Sequence, residues 1–428
     1  DMHAADTATL VAGRSGAVSL LSTRRGDVDR ANNRLSSRTS TTATRTTTTF
    51  QPSVESVPSA DSCNYSFELL LRAYLDCRKH KRNSRSAIAF EQNLESNLWS
   101  LHKELSDGSY SPGKSICFVI TRPKAREVWA ADFRDRVVHH LFYNHVSSRI
   151  HASFIADSCV CIPGRGTLYA SQRLEAKVRS ITQNWSRPAH YLKLDLANFF
   201  VSIDKNILHD LIAARVTESW WLWLADVILF HDPRQNFEYR GRPELLDRVP
   251  AHKRLTNQPA HLGLPIGNLS SQFFANVYLD ELDQFVKHRI GARHYVRYVD
   301  DFILLHESPQ WLNAAHAEIA AFLPDRLNAR LNDGKTILQL ISRGIDFVGH
   351  VIKPWRTTTR RRTVNEAVRR IGQTPADELL EVGNSYFGLL RQSEHSHHDR
   401  SRLANALRRR GHPIKSDLTK TYKKGISA

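Results

Sequence analysis

Three carboxylates hold most of the chemistry that this sequence offers. Residues His294 to His306 read HYVRYVDDFILLH, two apolar, β-branched and aromatic runs around Asp300 and Asp301, the pattern of two short strands meeting at a tight turn. Adjacent acids at a hairpin tip repel unless a cation comes between them, and hard oxygen donors beside a third carboxylate suit Mg²⁺. Taken alone, the pair reads as an ordinary polar turn, because Asp is common in turns. A second stretch changes the balance. HYLKLDLANFFVSIDK has a strand-like run, Tyr191 to Leu194, that delivers Asp195 at its end, with Phe199 and Phe200 shortly after.

Charge then says what such acids would work on. The 428 residues hold 60 Lys+Arg against 43 Asp+Glu, a formal charge of +17 and a pI near 9.8, which points to a polyanionic partner, nucleic acid ahead of an anionic membrane surface. No apolar run approaches the roughly 18 residues of a membrane span, so a soluble chain with no membrane partner is expected. The five cysteines, Cys63, Cys77, Cys117, Cys159 and Cys161, give neither a disulfide framework nor a zinc pattern, and free thiols in a reducing compartment are expected.

The elements that must position these acids follow in order. Residues 1–62, rich in Ser, Thr, Ala and Arg, lack a sustained apolar period and are expected to be a disordered or non-native extension. FELLLRAYLDC and SAIAFEQNLESNLWSLHKELSDG each read as one helix, separated by the basic loop RKHKRNSR. Ser115 to Thr121 and a strand ending at Trp129 frame a basic hairpin, and Lys124 and Arg126, two residues apart on one face, are spaced to reach a triphosphate; an ordinary charged surface hairpin is the alternative. Arg165, in a Gly-rich turn, is a weak phosphate candidate. ESWWLWLADVILF reads as buried packing, and the Arg-rich residues 231–260 as an insertion over a bound nucleic acid. GLPIGNLSSQFFANVYLDELDQFVKHR runs from a loop into a helix with Asn268, Ser270 and Ser271 as candidate caps. Beyond the acidic hairpin come a helix, Lys335 after a turn, a strand pair in GIDFVGHVIKP, and Arg-rich helices to the end.

On these residues the chain resembles a reverse transcriptase of the bacterial retroelement kind. Tyr298-Val299-Asp300-Asp301 matches the family's Tyr-x-Asp-Asp box, Asp195 through Phe200 its first acidic motif, and Gly263 through Gln272 its nucleotide-side loop and helix. Lys124 and Arg126 match the basic fingers hairpin, Lys335-Thr336 the motif after the catalytic hairpin, and Phe347-Val348-Gly349 the primer grip. The resemblance spans roughly residues 67 to 410. Where most members read Gln-Gly-x-x-x-Ser-Pro, this chain has Ile266-Gly267-Asn268-Leu269-Ser270-Ser271-Gln272, the form associated with diversity-generating retroelements.

The resemblance implies an α+β right-hand polymerase: fingers at 63–190, a palm with an antiparallel sheet at 191–355 carrying an insertion at about 231–260, and a helical thumb with a basic tail at 356–428. It implies an RNA-directed DNA polymerase that makes cDNA from a structured template RNA, error-prone at adenines, in the cytoplasm of a bacterium or encoded by a phage. A defence-associated bacterial reverse transcriptase is the alternative, and a non-catalytic RNA-binding protein on a polymerase fold the weaker one. Two Mg²⁺ ions would be held by Asp195, Asp300, Asp301 and the Leu196 carbonyl. Lys124 and Arg126 would hold the dNTP triphosphate, Lys335 would relieve the leaving pyrophosphate, and Phe200 would exclude a 2′-hydroxyl. Ile266, Gly267 and Gln272 would line the template-nucleotide pair. A small basic accessory protein is a further expected partner.

Overall fold

The computed structural model describes residues 65–79, 84–122 and 124–423; the extension expected at 1–62 lies outside them, as does most of the basic loop after Arg78. Helix α1 (Phe67–Arg78) starts at Ser66, whose side chain accepts from Leu69 N, and buries Leu70, Ala73, Tyr74 and Cys77, the three- and four-residue spacing of one helix face. The next apolar stretch is two helices, not one. α2 (Arg85–Gln92) and α3 (Leu94–Ser106) are separated at Asn93, where φ −129 and ψ 50 leave the helical region. Asn competes for helix with local polar contacts, and its side chain gives the sequence no apolar reason to continue.

Strands β1 (Ser115–Ile120) and β2 (Arg126–Ala130) form the antiparallel basic hairpin. Asp132 caps the long helix α4 (Phe133–Ser153), which packs on α1; α5 (Thr167–Ile181), β3 (His190–Asp195), the single turn α6 (Phe199–Ser202), α7 (Lys205–Ala213) and α8 (Ser219–Phe230) follow. Residues 231–260 are bound into the fold. They supply β4 (Phe237–Tyr239), parallel to β1, and their backbone reaches buried Glu127 through Leu255 N at 2.7 Å. Trp129 Nε1 donates to the same carboxylate at 3.1 Å and its ring meets Phe237 edge-on at 5.0 Å. The excursion therefore buttresses the basic hairpin.

Helix α9 (Leu269–Gln284) leads to β5 (His294–Tyr298), β6 (Asp301–His306), α10 (Pro309–Leu327) and β7 (Ile337–Leu340). The central sheet is antiparallel, in order β5-β6-β3-β7, and it is covered on both faces. Leu192, Leu194, Phe302 and Leu304 belong to the large helical core with α4, α9 and α10. Tyr191, Val296, Ile303 and Leu305 point to a second core with α5. Alternation fixes the rest: Lys193 and Asp195 share the face of Tyr191, and Asp301 shares the face of Ile303.

The C-terminal part opens on strand rather than helix. β8 (Ile345–Phe347), β9 (His350–Lys353) and β10 (Arg356–Thr359) form an antiparallel sheet, its third strand built from the β-branched run Thr357 to Thr359. Helices α11 (Arg361–Gln373), α12 (Leu379–Leu390) and α13 (His397–Arg409) then pack around Val364, Ile371, Phe387, Leu403 and Leu407. No described helix is long and apolar enough to cross a membrane.

Candidate active site

The acidic hairpin turns on two residues, Val299 and Asp300, between the paired Tyr298 and Asp301. Val299 sits at φ +56, where a β-branched side chain costs about 1–3 kcal/mol. Something must hold it. Arg297, one turn of the pleat earlier and 1% exposed, donates from Nη1 to the Val299 carbonyl at 3.1 Å and grips fully buried Asp283 of α9 with Nε at 2.7 Å and Nη2 at 2.6 Å. Tyr295 Oη donates to the same Asp283 at 2.7 Å, and Ser158 Oγ accepts from Arg297 Nη2 at 3.0 Å. A buried ion pair anchors the turn from below.

Above it the three carboxylates meet. Asp195 and Asp301 are direct cross-strand partners, and Leu196 N donates to the Asp300 carbonyl at 3.3 Å. Like charges placed opposite each other repel. Burial first, then the Asp195 carboxylate, raises the Asp300 pKa above the ordinary value. Burial likewise pushes Asp301 up to about 6, an effect that Lys193 only partly offsets. Two ammonium groups answer the charge: Lys335 Nζ lies 2.5 Å from Asp195 Oδ1 and Lys193 Nζ 3.0 Å from Asp301 Oδ2.

Among the described residues no group of three His, Cys, Asp or Glu is placed to hold a metal ion. The donor set nonetheless suits a hard cation. Asp301 Oδ1 is buried with no hydrogen-bond partner, and both Asp300 and Asp301 are held in environments that disfavour their charge. A divalent ion replacing the ammoniums would relieve both, and carboxylate oxygens are its preferred ligands.

The basic hairpin faces this centre. The Lys124 ammonium is lowered in pKa by Lys335 first, then by burial, Lys253 and Arg126, and it also feels Asp195. Arg126 in turn acts on Asp300. Strand β2 joins them to the loop before α9, where Trp129 N donates to the Ile266 carbonyl at 2.7 Å. Gly267 is required there: at φ +131 a Cβ would fall 2.9 Å from the Trp129 carbonyl oxygen. Asn268 stands at the N-cap position of α9 without capping it; its Oδ1 accepts from Ala131 N at 3.1 Å instead, and Ser270 contacts His139.

The remaining candidates spread outward. Phe200 is half-buried against Phe199, and Gln272 is exposed, its Oε1 accepting from Cys161 Sγ at 3.1 Å. Phe347 is fully buried, and Val348 and Gly349, at φ +45 and +92, form the two-residue turn between β8 and β9. Arg165 is tied to its own turn through one nitrogen: its Nη1 donates to the Ile155 and Ser158 carbonyls. Sequence reasoning missed Lys193, whose Nζ also donates to the Asp346 carbonyl at 2.8 Å. The signal was present, since Lys193 precedes Asp195 by two and must share its face. It also missed the Arg297–Asp283 pair, which a fourteen-residue separation hides.

The reverse transcriptase (RNA-dependent DNA polymerase) family profile matches residues 124–352. Protein YkfC of Escherichia coli (strain K12) is 20% identical over 334 residues, covering 70% of this chain and 81% of that protein. The solved structure of apo telomerase from Candida tropicalis, truncated from the C-terminal domain, aligns with a TM-score of 0.43 and 15% identity over 59% of this chain and 55% of that one. The matched span takes in Lys124 and the second strand of the basic hairpin, Asp195, the Asp300–Asp301 turn and Lys335 and exceeds half the sequence, so the chain belongs to the reverse transcriptase family of RNA-dependent DNA polymerases.

Proposed function

We propose that this cleft extends a DNA primer on an RNA template, with residues 63–190 as fingers, 191–355 as palm and 356–428 as thumb. The observation that carries the reading is the register that sets Asp195 opposite Asp301 and beside Asp300. Asp195, Asp300 and Asp301, with the Leu196 carbonyl, would hold two Mg²⁺ ions, which when bound activate the primer hydroxyl and neutralise the leaving pyrophosphate. Lys124 and Arg126 bind the triphosphate of the incoming deoxynucleotide, Arg126 with the planar fork that suits phosphate. Lys335 moves from Asp195 toward the leaving pyrophosphate and balances its charge. Phe200 closes the space beside the sugar C2′, and the Phe347–Gly349 turn supports the primer end.

Within the family we favour the diversity-generating type, on the sequence Ile266 to Gln272. An apolar side chain at 266 cannot hydrogen-bond the template-nucleotide pair. The template would be a structured RNA and the partner a small basic protein. Purified chain, Mg²⁺, dNTPs and a primed RNA template test the activity: extension is expected from the wild type and none from Asp300→Ala. Failure of the wild type on every template, with and without an accessory protein, would leave a non-catalytic RNA binder; faithful copying would favour a defence-associated enzyme.

A further inference from the structure

Lys353 ends β9 and Arg356 opens β10 directly opposite it, with Pro354 and Trp355 as the two-residue turn between them. Proline fixes φ near −65° and Trp355 has φ +61, a type II combination whose second central position favours Gly or Asn. Local sterics give no reason for tryptophan there. Packing gives none either. Trp355 is 63% exposed, more than any other exposed large hydrophobic among the described residues. Trp99, the next most exposed, stacks on Phe67 at 4.5 Å; Trp355 has no aromatic neighbour among the described residues.

The two charges that bracket this turn are of one sign. Lys353 precedes the turn and Arg356 follows it, whereas Arg360, farther along, is ion-paired with Asp346. Lys353 and Arg356 flank the turn as cross-strand partners, where like charges repel, and neither is in an ion pair among the described residues. An anion between them would relieve that repulsion. The tip is also held in place. β9 is paired on both sides, Thr357 Oγ1 donates to Glu175 Oε2 at 3.0 Å, and Lys193 ties β8 to the carboxylate site through the Asp346 carbonyl.

We propose that Trp355 is a stacking platform for an unpaired base of the bound nucleic acid, with Lys353 and Arg356 taking the flanking phosphates. Every base has a π-face, so such a platform is indifferent to sequence, and the two cations make its grip depend on salt. The inference rests on the nucleic-acid reading of the carboxylate site, but it concerns binding and not chemistry.

The test compares the full chain with its Trp355→Gly, Trp355→Phe and Lys353→Gln variants by fluorescence anisotropy. One probe is an RNA template annealed to a DNA primer with a single-stranded template overhang; the other is the same duplex blunt-ended. Trp355→Gly is expected to bind the overhang roughly tenfold more weakly and Trp355→Phe to stay within about threefold of wild type, while blunt-duplex affinity is unchanged. Lys353→Gln should lower the slope of log affinity against log salt by about one. Glycine suits the positive φ, so the Tm of Trp355→Gly should be kept or raised. Wild-type affinity of Trp355→Gly for the overhang, a Tm that falls with its affinity, or an equal loss on the blunt duplex would each overturn the platform. Overhang binding that depends on Trp355 in a chain that extends no primer would support the platform and count against the polymerase reading alone.

Discussion

Lys193 Nζ stands 3.0 Å from Asp301 Oδ2, and the same ammonium donates to the Asp346 carbonyl at 2.8 Å and lies 5.9 Å from the Phe347 ring centroid. One side chain thus links a carboxylate of the candidate metal site to the hairpin proposed to grip the primer. Lys193→Met removes both bonds, each to or from a charged group and worth roughly 1.5–3 kcal/mol. Primer extension should fall by about tenfold or more, with a larger rise in KM for the primer-template than for dNTP; Lys193→Arg should recover most of it. Equal losses in Met and Arg variants would mean that the position matters only for packing.

The raised pKa of Asp301 has a sign that stability measurements can read. In the folded chain the group titrates at about 6 against an ordinary 3.8, so its contribution to stability is fully present below about 3.8 and is lost as pH rises through about 6. Asp301→Asn should therefore stabilise the protein in EDTA above pH about 6, by up to about 3 kcal/mol, and give no gain near pH 4. Added Mg²⁺ should raise the wild-type Tm more than that of the variant, because it binds the native carboxylates. A Tm difference that is flat with pH, with equal Mg²⁺ responses, would remove Asp301 from the metal site.

Much of this site was legible because β3, β5 and β6 are buried on both faces. Such strands read as near-continuous apolar runs, and acids at their ends, Asp195, Asp300 and Asp301, have no packing reason to be there. Lys193 was not legible as a bridge, since its role depends on the register of β3 against β6 and on where β8 arrives. β4 has three residues and takes its pairing from β1, a tertiary fact with no local period. Asn268 looked like a cap because Asn prefers that position; its side chain is used by Ala131, just past the end of β2.

The Arg297–Asp283 pair predicts a second stability effect. Removing one partner of a fully buried ion pair leaves the other charge uncompensated, at a cost of roughly 3–5 kcal/mol. Arg297→Met should unfold at a distinctly lower temperature and also free the Val299 carbonyl, loosening the strained turn. Combining it with Asp283→Leu should recover part of the loss, because no charge is then buried alone. A double variant no more stable than Arg297→Met would mean that the network acts through shape and not through charge.

Phe200 gives a prediction on sugar choice. Its ring is half-buried beside Phe199 at the first turn after Asp195, so Phe200→Ala trims the site and leaves the carboxylates in register. Ribonucleotide incorporation should rise strongly while dNTP addition remains. Unchanged discrimination between dNTP and rNTP would place the selectivity in another residue.

Ile266 bears on fidelity. Its backbone is fixed, since the carbonyl accepts from Trp129 N and the neighbouring Gly267 admits no side chain, so a substitution at 266 changes the side chain without moving the loop. In the proposed site the apolar side chain would offer the template-nucleotide pair no hydrogen bond, and correct and incorrect pairs would then be separated mainly by shape. One hydrogen bond of about 1 kcal/mol changes a discrimination ratio by roughly fivefold. Ile266→Gln should therefore lower misincorporation, most of all opposite template adenines, while synthesis continues. Sequencing the cDNA of wild type and variant from one adenine-containing RNA reads this directly: equal error spectra, or a wild type that already copies adenines faithfully, would remove the diversity-generating assignment and leave the polymerase reading of Asp195, Asp300 and Asp301 untouched.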